Sequence, residues 1–91
     1  MTVTVLYMDR WNYSTEMVDG VYLISVCFCN QIIDYSIEYI MTQSEIEQPF
    51  ESLGYLTDKI RENTEAYKNR RYLLDKELEY DYSKAIRNGV W

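Results

Sequence analysis

Residues 21–41, VYLISVCFCNQIIDYSIEYIM, alternate between two chemistries, and this alternation narrows the fold more than any other feature. Successive side chains of a strand point to opposite faces, so residues two apart share a face. Val21–Cys29 and residues 32–41 read as two antiparallel strands joined at Asn30-Gln31. With that turn, Cys29 faces Ile32, Phe28 faces Ile33, Val26 faces Tyr35, Ile24 faces Ile37 and Tyr22 faces Tyr39. One face is then wholly apolar or aromatic. The other mixes Ser25, Cys27 and Cys29 with Asp34, Ser36 and Glu38. A face that must be buried fixes the pairing, because a one-residue slip turns it to solvent.

The flanking segments extend the pattern. Residues 2–8, TVTVLYM, are rich in β-branched and aromatic side chains and read as a first strand. Residues 10–20 read as a connection ending in Asp19-Gly20, a strong turn signal. After Met41 the apolar spacing lengthens. Thr42-Gln43-Ser44-Glu45 matches a capping box, which places a helix start at Gln43. Leu53, Leu56, Ile60, Thr64, Tyr67, Arg71, Leu74, Leu78, Tyr82 and Ala85 then follow one side of a helical wheel, with Asn88-Gly89 as a stop. One helix over that range would be about 55 Å long, whereas a ten-residue strand spans about 33 Å. A break at Asn63-Thr64 resolves the mismatch and gives helices over 50–63 and 64–88. The expected fold is α+β: a three-stranded antiparallel sheet followed by C-terminal helices packed on its aromatic face. Residues 1–91 form a single domain, with the sheet in 1–41 and the helical part in 42–91.

Charge is unevenly laid out. The first 58 residues hold nine acids against Arg10 alone, net −8, and the remainder is net +2, which gives −6 for the chain. Such a surface repels phosphate backbones and favours a basic partner. The basic cluster Lys68, Arg70 and Arg71 is too small to dominate a nucleic-acid-binding face. No segment is long and apolar enough to span a membrane, and the N-terminus has no signal-peptide pattern. Two cysteines in such a chain suit a reducing, cytoplasmic compartment.

Catalytic chemistry finds few footholds. There is no histidine, and no phosphate-binding or nucleophile-elbow motif. Cys27 and Cys29 point to the same side of a strand with Cα atoms about 6.6–6.8 Å apart, the upper limit for a disulfide. Without histidine or a third cysteine they make no ordinary zinc site, and they read as packing residues. No cofactor and no metal site are expected. Asp34 and Glu38 read as part of a solvated strand face.

The expected function is therefore protein binding without catalysis. The chain reads as a small acidic module that inhibits a larger basic or nucleic-acid-handling protein. Phages and other mobile elements encode compact inhibitors of this kind, a reading drawn from size and charge rather than from a motif. Asp34, Glu38, Glu45, Glu47 and Glu51 are the acids expected at the partner surface. Leu73 and Tyr80, i and i+7 on the outer side of the second helix, are the apolar anchors. A homodimer that buries the Leu73/Tyr80 side is the alternative.

Overall fold

The computed structural model describes residues 2–29, 32, 34–74 and 77–88. It overturns the expected three-stranded sheet. Six strands form one mixed sheet: β1 (Thr2–Asp9), β2 (Tyr13–Val18), β3 (Val21–Cys29), β4 (Asp34–Ile40), β5 (Glu79–Asp81) and β6 (Ile86–Asn88). The order is β4-β3-β2-β1-β5, with β6 also on β1. The first four strands are an antiparallel meander. Strands β5 and β6 run parallel to β1, in line along its outer edge, opposite Thr2–Thr4 and Tyr7–Asp9 respectively.

Strand β2 lies where the sequence suggested a connection. Asp19-Gly20 is the tight turn expected, with positive φ at both residues (49° and 79°). It joins two strands directly, Val18 opposite Val21, as a primed two-residue turn does. At the other end of β2, Asp9 pairs with Tyr13. The turn between them is closed by the Asn12 amide donating to the Asp9 carbonyl at 3.0 Å. Trp11 sits in it at φ 65°, a conformation that glycine or asparagine adopts more readily. The Arg10 guanidinium lies 5.4 Å from the Trp11 ring centre.

Register in the β3–β4 hairpin differs from expectation by two residues. Phe28 pairs with Tyr35, Val26 with Ile37, Ile24 with Tyr39 and Cys29 with Asp34. A shift of two keeps every side chain on its face, so the apolar face survives while each cross-strand partner changes. Residues 30–33 lie between the strands. The turn residues Asn30 and Gln31, and Ile33, are outside the described residues.

Helical structure is shorter than the apolar stripe implied. The helix α1 (Gln43–Ile46) begins with the expected capping box: Thr42 Oγ1 accepts from the Glu45 amide at 3.3 Å and Glu45 Oε1 accepts from the Thr42 amide at 3.0 Å. After Pro49 come a 3-10 turn (Phe50–Ser52) and α2 (Gly54–Glu62). The break at Asn63 is real, with its side chain capping Ala66 at 3.3 Å. Beyond it only a 3-10 helix, Thr64–Arg70, forms, and the chain then turns extended. The expected helix over 64–88 does not exist. Of its residues, Asp75 and Lys76 lie outside the described residues, as does the stop residue Gly89.

The two faces of the sheet explain that outcome. On one face Tyr7, Tyr13, Ile24, Val26, Tyr39 and Met41 are buried with Leu53, Leu56 and Ile60 from the helical segment. On the other, Val3, Val18 and Leu23 are buried beneath Tyr72, Leu74 and Leu78. An apolar sheet face left in water would cost about 25 cal/mol per Å². Tyr72, Leu74 and Leu78 cover the second face, and Glu79–Asp81 and Ile86–Asn88 pair the bare edge of β1. A second helix could do one of these but not both. A break in register between Val5 and Tyr7 lets β1 serve both layers, with Val3 and Val5 on one face and Tyr7 on the other. Among the described residues no helix is long and apolar enough to cross a membrane.

Candidate functional site

The second face carries a cluster centred on a buried carboxyl. Glu16 stands in the middle of β2, opposite Leu23, and is only 3% exposed. Its carboxyl takes a hydrogen bond from Ser25, while its Oε1 has no partner. Ser25 in turn lies opposite Glu38 of β4, so the two carboxylates flank one serine across three adjacent strands. Tyr80 of β5 shares this face, since it pairs with Val3.

Electrostatics bind these groups into one unit. Burial pushes Glu16 up to about 7, with the Glu38 charge adding to it and Ser25 opposing. Burial also raises Glu38, against a lowering pull from its own backbone amide and from Arg71. The Tyr80 phenol is raised by burial first and then by the charges of Glu16 and Glu38. A buried carboxyl normally has its lone pairs met by donors or a cation. Here hydroxyls and carboxyls converge, and Arg71, which lines the same groove, is a cation that acts on Glu38.

Next to this cluster opens a groove of about 220 Å³, lined by Glu38, Arg71, Leu73, Leu74, Leu78 and Tyr80 among others. Leu73 stands 85% exposed at its mouth, and Tyr80 stacks on Tyr82 with ring centres 6.0 Å apart. Three of the residues singled out from sequence, Glu38, Leu73 and Tyr80, therefore meet at one place. They do so from a strand, an extended segment and an edge strand, not from the outer side of a helix.

The other four do not join them. Asp34 is exposed at the start of β4, opposite Cys29. Glu47 and Glu51 are exposed on the helical side, where Glu47 accepts from Gln43 Nε2 at 3.3 Å. Glu45 is buried by its capping role and by an ion pair with Arg70. Lys68 is held by Glu65 at 2.6 Å, so two of the three cations in the basic cluster are taken up by the chain's own carboxylates.

A larger hollow, about 430 Å³, lies elsewhere, between Trp11, Cys27, Phe28, Cys29, Tyr35 and Arg61. Arg61 looks like a binding residue but is occupied. It donates to the Asn12 carbonyl at 2.6 Å, to the Cys27 carbonyl at 2.9 and 3.0 Å, and to Asn12 Oδ1 at 2.9 Å. Its guanidinium thereby ties the end of α2 to the β1–β2 turn and to β3. Among the described residues, no group of three or more cysteine, aspartate and glutamate side chains is arranged to hold a metal ion.

Sequence reasoning misses Glu16, because residues 10–20 read as a connection. The signal is present. Zipping the strand back from Asp19-Gly20 sets Val18 opposite Val21 and Glu16 opposite Leu23, an inward position. The chain matches no family model, no curated protein and no solved structure.

Proposed function

We propose that the protein is a small acidic binding module whose groove takes a basic side chain of a protein partner. The observation that carries this reading is the convergence of Glu38, Leu73 and Tyr80 on one open groove. Leu73, Leu74 and Tyr80 offer apolar surface to an alkyl stem, and Glu38 offers an acceptor to its charged head. Long cationic side chains need that pairing of surfaces. A half-buried carboxylate with raised pKa gains more from an incoming cation than one already in water.

The partner class follows from charge. A chain of net −6, with net −8 in the first 58 residues and net +2 in the rest, is attracted to basic surfaces and repelled by nucleic acid. A basic, nucleic-acid-handling protein held in an inhibited state fits that layout, with no catalytic step. Two free thiols, Cys27 and Cys29, suit a reducing compartment such as the cytoplasm.

The test is a ¹H–¹⁵N NMR titration with a lysine-rich peptide at low and moderate salt. Shifts should gather on Glu38, Leu73 and Tyr80, weaken with salt, and vanish in Glu38→Gln and Tyr80→Ala. Glu47→Gln and Glu51→Gln should bind as the parent does. Shifts spread evenly over the acidic residues would reduce the groove to non-specific attraction. A dimer in light scattering that Leu73→Asp abolishes, with no peptide binding, would put a second copy of the chain in the groove instead.

A further inference from the structure

The two cysteines stand in a relation that strand geometry alone does not produce. Cys27 and Cys29 share a face of β3, where the backbone would set their Cα atoms about 6.6–6.8 Å apart. Their side chains lean together until the sulfurs are 3.2 Å apart. Both are free thiols, Cys29 exposed and Cys27 partly so. Both also line the 430 Å³ hollow beside Trp11, Phe28 and Tyr35, so a small reagent can reach them.

We infer that Cys27 and Cys29 form a redox-modification site, closing reversibly into an intrastrand disulfide on reaction with a small-molecule disulfide. The backbone favours closure at this position. Cys27 is anchored, its amide donating to the Asn12 carbonyl at 2.9 Å and its carbonyl held by Arg61. Cys29 is the last residue of β3, where a strand can pucker at least cost. The sulfurs need about 1 Å of further approach to reach bonding distance.

Closure is a thiol–disulfide exchange in two stages. Contact with Cys27, then burial, the Cys27 charge and Asp34, push the Cys29 thiol up to about 11, and either sulfur can donate in that contact. One of the two cysteines, as its thiolate, attacks one sulfur of the oxidant, forms a mixed disulfide and expels a small thiolate, which takes up a proton. The other cysteine loses its proton, attacks the sulfur of the first and expels the second small thiolate, which takes up that proton. The protein gives up two electrons and two protons, and the oxidant becomes two thiols.

The experiment exposes the reduced chain to oxidised glutathione at neutral pH, followed by acid quench and intact mass. The expected product is lighter by two hydrogens and carries no glutathione. Reduced glutathione returns it to the starting mass. Cys27→Ser and Cys29→Ser, which leave one thiol each, should instead retain one glutathione. Wild-type protein that keeps glutathione on one or both cysteines, or that forms disulfide-linked dimers, would overturn the proposal.

Discussion

At the scale of single residues, Glu16 is the one whose chemistry conflicts most with its surroundings. Its carboxyl titrates near 7 because burial disfavours the anion, with Glu38 adding repulsion. The unfolded chain ionises at the ordinary carboxylate value of 4.5. Below that pH both states hold the proton, and folding carries no penalty. Between 4.5 and 7 the unfolded state releases its proton while the folded state keeps it. Stability therefore falls as pH rises through this window and levels off above 7. The full loss is about 3 kcal/mol by linkage. Burial of Glu38 acts in the same direction. Glu16→Gln should match the parent at about pH 4 and exceed it at about pH 8 by about 3 kcal/mol in urea unfolding. Parallel stability–pH curves for the two proteins would show that Glu16 is not the titrating group. Sequence could have placed this residue on an inward face, by pairing outward from Asp19-Gly20. It could not show that Ser25, Glu38 and Tyr80 would gather around it, since Tyr80 arrives from the far end of the chain.

At the scale of elements, what was legible is what neighbours in sequence decide. The turn at Asp19-Gly20, the capping box at Thr42 and Glu45 and the break at Asn63 all rest on contacts within a few residues, and all are present. The stripe from Thr64 to Ala85 failed because its spacing fits a helix without requiring one. Leu74 and Leu78 do face inward, but onto Val3, Val18 and Leu23 and not from a helix. Docking of α2 depends on a contact with no sequence signature. Arg61 reaches 49 residues back to Asn12 and 34 back to Cys27. Its ion pair with exposed Asp58, at 3.6 Å, adds little. Arg61→Ala leaves the Asn12 and Cys27 carbonyls without these donors and should cost about 2–4 kcal/mol in unfolding free energy. Arg61→Lys keeps the charge but cannot bond both carbonyls through a fork, and should recover less than half of that loss. Equal stability of Arg61→Lys and the parent would mean that charge alone docks the helix.

At the scale of the whole molecule, the two faces of the sheet are held to different depths. The face under α1 and α2 buries nine residues in one cluster, including Tyr7, Tyr39 and Ile60. The opposite face has a smaller apolar cluster, Val3, Val18 and Leu23, beneath partly buried Tyr72, Leu74 and Leu78. Strands β5 and β6 are three residues each and are bonded to β1 alone. A region with few buried contacts opens at lower free energy than the core. The segment from Leu78 to Asn88 should therefore open as a unit while the meander stays closed. Leu78→Ala removes part of the apolar cover and should lower that opening energy by about 1–2 kcal/mol. Amide exchange at Tyr80, Asp81, Ile86 and Arg87 should then speed up by about 5–30-fold, with exchange at Ile24, Val26 and Tyr39 unchanged. A uniform increase across β1 to β4 would mean that this segment and the meander unfold together. The same measurement bears on the groove, because Tyr80 forms one wall of it. On the proposed reading, a basic peptide seated against Glu38 would bind the closed form of this segment and stabilise it by mass action. Its addition should slow exchange at Tyr80 and Asp81 and leave the buried strands unaffected, so that binding is read as local protection at the weakest edge of the sheet.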